Sequence, residues 1–267
     1  MNSDFLHASL GSTGIKVHRL GLSATYRPGK KTIYRALDEG LNYFFAFGID
    51  TQMIKALREA QRDKYVLATG VYNYIWRHQN LRLTLEKRLR QFRTDYLDVF
   101  LFLGVLKEKE FPDSVREEMH RVREEGKVRA IGISTHNRKF AGTLAAAGAL
   151  DVIMMRYNAA HRGAEQEIFP RLPQSRPGVI SYTATCWTHL MRRPSGWPKN
   201  ARLPTAGLCY RFVLSNPDVD VCLTAPRNLQ QFEENLAAVC RGPLGEVDME
   251  FMRQFGDAVH AQNKWFM

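Results

Sequence analysis

The sequence predicts one domain, residues 1–267, folded as a closed (β/α)8 TIM barrel with a short N-terminal β-hairpin. Two observations predict the barrel: eight short apolar runs divide the chain, and the segments between them have helical periodicity. Starts of successive runs are mostly 23 to 32 residues apart, the length of one strand–helix unit, and only the last interval, 41, is longer. No shift in composition marks a linker, and barrels of this kind routinely form one domain of about this length.

The hairpin is predicted first in the chain, from Leu6 to Val17, because a glycine-rich turn spans Gly11 to Gly14. We expect it to close the bottom of the barrel. The eight runs that follow are rich in Val, Ile, Leu and Phe without strict alternation, as is typical of strands covered on both faces. They are VHRLGLS from Val17, NYFFAF from Asn42, YVLATG from Tyr65, YLDVFLFL from Tyr96, VRAIGIS from Val128, VIMMRY from Val152, GVISYTA from Gly178 and VDVCLT from Val219.

Helices are predicted between these strands. Gly40 and Gly126 stand where a glycine commonly ends a helix. The clearest helical segments are Lys30 to Gly40, Phe111 to Lys127 and Asn228 to Cys240. In such a barrel the loops after the strands build the active site, so the residues at the carboxyl ends of the strands are the first functional candidates.

The net charge of +11 raises the question of a polyanionic partner. The densest basic cluster, Leu81 to Arg93, has apolar residues at helical spacing and its charges mostly off that stripe. No aromatic residue alternates with these charges as a base-stacking surface requires. We therefore interpret the cluster as the solvated face of a helix and predict neither a nucleic-acid nor a membrane partner.

The composition, with 45% hydrophobic and 24% charged residues, excludes the disordered class. No export signal or membrane span is visible. The four cysteines, Cys186, Cys209, Cys222 and Cys240, lack the paired spacing that structural zinc needs. We expect no metal, a cytoplasmic location and reduced thiols that are mostly in the core.

Several motifs occur together in one order and spacing: LGSTGIKVHRLGL from Leu10, then GLNYFF, RTDYLDVFLF, EGKVRAIGIST, RYN, VISYT and APRNLQQFEENL. Together they resemble the aldo-keto reductases, (β/α)8 barrels that transfer a hydride from NADPH to a carbonyl. The resemblance covers nearly the whole chain, and RYNAAHRGAE, from Arg156 to Glu165, resembles a divergent branch of that family.

The family's proton chemistry uses an Asp, a Tyr, a Lys and a His, because the alkoxide formed by hydride addition must be met by an acid. The resemblance aligns Phe45, Asp50, Gly70 and Leu103 with those four residues, so all four positions are changed. Phe45 and Gly70 are mutually consistent, since a buried carboxylate without its lysine would be costly. We expect an apolar substrate pocket lined by Phe45, Phe47, Tyr72 and Leu103.

The cofactor side matches the family better. The resemblance assigns Tyr182 to stacking on the nicotinamide and Ser134 to its carboxamide, whereas Thr135 and Met154 replace an Asn and a Gln there. The segment from Thr183 to Trp187 departs from the family's pyrophosphate loop. The adenosine and its 2′-phosphate would be held by Arg227, Asn228, Gln231, Glu234 and Asn235. Alternatively, Arg227 and Asn228 cap the last helix, and Tyr182 is barrel packing.

The function predicted from these residues is an NADP(H)-binding oxidoreductase with an atypical active site and an apolar or conjugated small-molecule substrate. His136, Tyr72 and Asp50 are the candidates for its proton chemistry. Two alternatives stay open: a non-redox isomerase, lyase or cyclase on the same barrel, and a catalytically silent pseudoenzyme that binds cofactor or a partner. The sequence leaves the substrate and the oligomeric state open.

Overall fold

The protein folds as a closed barrel of eight parallel strands, seen in a computed structural model that describes residues 5–46, 50–72 and 80–262. The strands follow each other around the barrel in chain order, and the last one pairs with the first. Helices lie between successive strands and cover the outside. The predicted barrel is therefore confirmed.

Every predicted apolar run overlaps one barrel strand, although the third, fourth and fifth barrel strands extend one or two residues beyond their runs. The first run also includes Val17, which belongs to the hairpin, because the barrel strand begins only at Leu20. The hairpin itself is antiparallel and consists of β1 (His7–Ser9) and β2 (Lys16–His18). The barrel consists of β3 (Leu20–Ser23), β4 (Tyr43–Phe45), β5 (Val66–Tyr72), β6 (Leu97–Val105), β7 (Val128–Thr135), β8 (Val152–Arg156), β9 (Gly178–Tyr182) and β10 (Val221–Thr224).

The predicted helices are also present, and Gly40 and Gly126 follow two of them with φ of 80° and 73°, the left-handed conformation that glycine adopts freely. Among the described residues, no helix has both the length and the apolar character needed to cross a membrane. The helices are α1 (Lys30–Asp38), α2 (Thr51–Glu59), α3 (Leu81–Phe92), α4 (Asp113–Glu124), α5 (Arg138–Ala146), α6 (Ala164–Glu167), α7 (Ala206–Leu214), α8 (Leu229–Val239) and α9 (Glu246–Gln262).

Two apolar layers hold the barrel together. Side chains that point inward, such as Val99 and Leu101 of β6, fill the interior together with Leu10 and Ile15 of the hairpin segment. Those that point outward, such as Phe100, pack against the helices. Because successive side chains of a strand face opposite sides, burial on both faces gives the continuous apolar runs seen in the sequence.

The basic cluster on α3 has the predicted helical arrangement. Leu81, Leu85, Leu89 and Phe92 form its buried stripe. On its outer side, Arg82 forms ion pairs with Glu118 and Glu125 of the neighbouring α4 region. The charge of Arg82 thus has partners within the protein itself.

Three aspartates at the N-terminal end of the barrel join neighbouring strands. They lie at or next to the starts of β6, β8 and β10. One carboxylate oxygen of each aspartate accepts a backbone N–H from the preceding strand. These hydrogen bonds run from Leu67 to Asp98 (2.8 Å), from Ile131 to Asp151 (2.9 Å) and from Val179 to Asp220 (2.9 Å).

Arginines neutralise the same three carboxylates. Asp98 and Asp220 are almost fully buried, and an unpaired charge at such a site would cost several kcal/mol. Their partners are Arg62 and Arg129 for Asp98 (2.7 and 2.8 Å), Arg176 for Asp220 (2.6 Å) and Arg123 for Asp151 (2.8 Å). All three carboxylates at the bottom of the barrel are therefore paired with arginines.

The cysteines are free thiols: Cys186, Cys209 and Cys222 are buried, whereas Cys240 is exposed. The expectation that they lie mostly in the core is confirmed.

A buried histidine makes stability depend on pH. His18 on β2 is only 3% exposed, and its Nδ1 accepts the backbone N–H of Leu20 at 3.1 Å. Burial lowers its pKa from 6.5 to about 4, and the neighbouring His7 adds to the lowering. Between these two values the unfolded chain binds a proton that the folded protein does not, so the folded state loses stability as the pH falls.

We expect His18 to remove about 2 kcal/mol from the free energy of unfolding between pH 7 and pH 5. His18→Asn keeps an acceptor near Leu20 but does not titrate, so its loss of stability over this range should be smaller by that amount. Urea denaturation at both pH values measures the difference, with His260→Asn, an exposed position, as control. Equal losses in the wild type and His18→Asn would contradict the prediction.

Candidate functional site

A cavity of about 270 Å³ opens at the carboxyl end of the barrel strands. All eight barrel strands, or the loops that follow them, contribute to its lining, which includes no Asp or Glu among the described residues. A shallower depression at the opposite end is lined by Arg176 and Asp220, which already pair with each other. Because chemistry in such barrels is built from the loops after the strands, the mouth cavity is the candidate site.

One wall of the cavity is apolar. Phe45 at the end of β4, Tyr72 at the end of β5 and Leu103 on β6 line it. Phe47, predicted to join them, lies outside the described residues. Burial raises the pKa of the Tyr72 phenol, which is therefore neutral at physiological pH.

Gly70 has no room for a side chain. An added Cβ would lie 2.3 Å from the carbonyl oxygen of Leu101 and 2.8 Å from Cγ of Leu103. The backbone of β6 and the Leu103 side chain thus occupy the space that any larger residue at this position would need.

The opposite wall carries the titratable pair His136 and Tyr182. Their Nε2 and Oη atoms are 3.3 Å apart, and their rings meet edge to face. Burial raises the pKa of Tyr182 to about 12, against the lowering effects of a hydrogen bond with Ser134 and the charge of Arg156. Burial and the charges of Arg156 and Arg138 lower the pKa of His136. Both groups are therefore neutral near pH 7.

Asp50, the third candidate for proton chemistry, caps a helix. It precedes α2, and its Oδ1 accepts the backbone N–H groups of Gln52 and Met53 at 3.0 and 3.4 Å. Asp50 is buried and is not among the described residues that line the cavity. Its observed contacts are those of an N-cap.

The residues predicted to hold the nicotinamide are only partly gathered at the cavity. Ser134, Met154 and Tyr182 line it. Thr135 is buried instead: its hydroxyl donates to the carbonyl of Val105 at 2.7 Å and accepts the N–H of Asn137 at 2.9 Å. Met154 has no group that could replace the hydrogen bonds of an amide.

The predicted phosphate side lies at the start of α8. Asn228 caps this helix by accepting the N–H of Gln231, whose own side chain accepts the N–H of Arg227, both at 2.9 Å. The capping alternative for Asn228 is thus seen directly. Glu234 is exposed one turn further on, whereas Asn235 is buried and donates to Thr224 at 3.1 Å.

Arg227 connects this helix start to the cavity. Its guanidinium lies 5.2 Å from the ring centre of Tyr26, a residue that lines the cavity and is 43% exposed. Arg227 is exposed and forms no ion pair with the part of the chain that the structure describes. Its charge is therefore available beside the cavity rim.

The loop after β9 forms part of the cavity wall, which the sequence did not predict. Thr183, Thr185 and Trp187 line the cavity. Thr183, Cys186, Trp187 and Thr188 have φ between 49° and 74°, a left-handed conformation that costs about 1 kcal/mol or more per non-glycine residue. Such strain is typical of functional loops. The only sequence signal was the departure of TATCW from the related pyrophosphate loop.

Arg156, at the end of β8, was missed as well. It is the first residue of the RYN motif. The arginine is only 6% exposed. The alternation of strand side chains places it on the same face as Met154, two positions earlier, and this signal was available from the sequence.

Residues 30–186 match the model of the Aldo/keto reductase family. Aldo-keto reductase YhdN of Bacillus subtilis (strain 168) is 26% identical over 212 residues, which are 67% of this chain and 62% of YhdN. L-galactose dehydrogenase of Arabidopsis thaliana is 24% identical over 282 aligned positions, covering 86% of this chain and 87% of that protein.

Solved structures share the fold. The holo form of aldo-keto reductase AKR11C1 from Bacillus halodurans superimposes with a TM-score of 0.79 at 20% identity, covering 94% of this chain and 96% of that one. An aldo/keto reductase from Klebsiella pneumoniae in complex with NADP and acetate gives a TM-score of 0.73 at 20% identity, with coverage of 92% and 94%.

We expect Gly70→Ala to lower the free energy of unfolding by about 1 to 3 kcal/mol, because its Cβ would overlap the Leu101 carbonyl. Urea denaturation tests this. Gly245→Ala is the matched control, since its Cβ would meet no atom within 4 Å. Adding Leu103→Ala to Gly70→Ala should restore little stability, because the backbone contact remains. Equal stability of Gly70→Ala and Gly245→Ala would refute the close approach.

Proposed function

Because the chain belongs to the aldo/keto reductase family, we propose that it is an NADP(H)-binding oxidoreductase with an atypical active site and an apolar or conjugated substrate. The observation that carries this proposal is one cavity whose lining combines two kinds of side chain. Ser134 and Tyr182 are polar, whereas Phe45 and Leu103 are apolar. The first suits a nicotinamide, and the second suits a substrate without strong polar groups.

The residues present fit NADP(H) at two places. Tyr182 offers a half-buried aromatic ring on the cavity wall with the Ser134 hydroxyl beside it. Arg227 offers an exposed guanidinium near the rim, and a guanidinium pairs well with a phosphate. The fit is weaker around the carboxamide, where Met154 cannot hydrogen-bond and Thr135 is already bonded to Val105. The Klebsiella pneumoniae relative in complex with NADP adds support.

NADP(H), when bound, supplies the hydride. The chain's own residues then decide which acceptor is suitable. Reduction of a simple carbonyl builds an alkoxide that needs a proton or a strong hydrogen-bond donor. Phe45 and Leu103 supply neither, and Gly70 leaves no room for a lysine. An iminium or a conjugated alkene builds no alkoxide, so these acceptors suit the apolar wall.

His136 and Tyr72 are the proton donors that we propose for any step that needs one. Both line the cavity. Burial raises the pKa of Tyr72, so its phenol keeps its proton near pH 7, and neutral His136 keeps one ring N–H that can donate a hydrogen bond. We assign Asp50 to helix capping instead, since its carboxylate accepts two backbone N–H groups.

The apolar cavity also fits the non-redox alternative, an isomerase, lyase or cyclase. Turnover without NADP(H) would favour that function. Saturable binding of the cofactor without turnover of any substrate would favour the silent pseudoenzyme.

Arg227→Ala should weaken NADPH binding about tenfold to a hundredfold, because a charged hydrogen bond to phosphate contributes about 1.5 to 3 kcal/mol. NADH, which lacks the 2′-phosphate, should be little affected. The variant keeps the backbone N–H that bonds Gln231, so the helix cap is preserved. Fluorescence titration measures both affinities, with Arg241→Ala as an exposed control. Lack of saturable NADPH binding at millimolar cofactor would refute the proposed function.

Reduction of simple aldehydes should be slow, about 10² to 10⁴ times slower than with an acid catalyst in place. Oxidation of NADPH, followed at 340 nm with a small aldehyde panel, tests this. Any residual activity should fall in His136→Ala or Tyr72→Phe, while Arg241→Ala leaves it unchanged. Rapid aldehyde reduction that survives both substitutions would mean that another group supplies the proton.

A further inference from the structure

We propose that Arg156 is an anion-binding residue of the mouth cavity and that the substrate carries a carboxylate. This inference rests on the proposed function only in that it concerns the same cavity. Arg156 ends β8, where Val152 and Met154 point into the barrel. Side chains two residues apart share a face, so Arg156 continues this inward row at the mouth.

Arg156 is adjacent to the cavity and is not itself among the described residues that line it. Its strand partner is Tyr182, which lines the cavity. Its charge also acts on His136, another lining residue. The guanidinium therefore lies within electrostatic reach of two side chains that line the cavity.

Among the residues that the structure describes, Arg156 has no acidic partner. It is 94% buried, yet its side chain forms no hydrogen bond or ion pair with them. The charged side chain that acts on it is Arg138, which repels it and pairs with Glu167 at 2.6 Å. The sequence segments 47–49 and 73–79 contain no Asp or Glu. By contrast, the buried carboxylates Asp98 and Asp220 pair with arginines, and the buried Arg19 donates to backbone carbonyls such as that of Val219.

An unpaired buried cation is unfavourable, so a bound anion would stabilise this arrangement. The ligand class follows from the geometry of the donor. One guanidinium presents a planar fork that matches the two oxygens of a carboxylate. A phosphate dianion would need further charged donors, and Arg138 is already committed to Glu167. Together with the apolar wall of Phe45 and Leu103, this indicates an aromatic or unsaturated carboxylic acid.

Binding of such acids can be measured without cofactor. Calorimetric titration with benzoate, phenylacetate and cinnamate, each compared with its methyl ester, separates charge from shape. We expect the unmodified chain to bind at least one acid about tenfold or more tightly than its ester. Equal binding of acids and esters, or binding of none of the acids, would overturn the inference. This comparison needs no variant and therefore does not depend on a substitution folding well.

Arg156→Met should weaken binding of the acid about tenfold to a hundredfold and leave the ester unchanged. Arg156→Lys should keep a preference for the acid, and Arg241→Met, which removes a surface charge, should change nothing. A structural arginine would be needed for stability. We expect instead that Arg156→Met without ligand unfolds at the same temperature as the unmodified chain or higher, and that the acid no longer stabilises it. An unchanged affinity for the acid would overturn the inference.

Titration of the same variants with NADPH separates the two proposals. Arg156→Met should bind NADPH with normal affinity, because we assign the cofactor phosphate to Arg227. If it loses NADPH and the acid equally, the anion at Arg156 is the cofactor's and the inference is wrong. Acid binding that depends on Arg156 in a chain that does not bind NADPH would uphold the carboxylate site while refuting the proposed oxidoreductase.

Discussion

The barrel depends on the pairing of buried carboxylates at its N-terminal end. Asp98, Asp151 and Asp220 each hold a backbone N–H of the preceding strand and at least one arginine. A buried carboxylate is costly unless its charge is compensated, so each of these three fixes two strands and an arginine relative to one another. Because this layer lies at the bottom, the residues at the carboxyl ends of the strands are free to vary without loss of the barrel.

At the mouth of the barrel, by contrast, the charges are not paired in this way. Its described lining has no acidic residue, and Arg156 beside it has no carboxylate partner among the described residues. Burial lowers the pKa of His136, and the positive charges of Arg156 and Arg138 lower it further. An anion bound at Arg156 would cancel part of this effect and make it easier for His136 to hold a proton next to the substrate. Anion recognition and proton supply would then be coupled through one side chain, in a site where Phe45 and Leu103 supply no proton.

The strands and helices could be predicted from the sequence because the patterns that indicate them are local. Apolar runs, their spacing and the glycines at 40 and 126 depend on neighbouring residues, and all reappear in the structure. The predicted strand boundaries were less accurate. Val17 would be apolar in the hairpin or in the barrel strand, and only its pairing with β1 assigns it to the hairpin. The site was readable only in part. Ser134, Tyr72 and Leu103 line the cavity, whereas Asp50 caps a helix and Thr135 is bonded to Val105.

The sequence by itself determined the number and order of the strands, the hairpin and the resemblance to a family, since these follow from patterns within short stretches of chain. Only the tertiary structure decided which distant side chains meet. Leu101 and Leu103 fill the space at Gly70, and the loop after β9 adopts strained left-handed backbone beside the cavity. Whether Arg156 faces an acid depends on neighbours from β9 and α5. The register and closure of eight strands bring such residues together, and no local sequence pattern predicts these contacts.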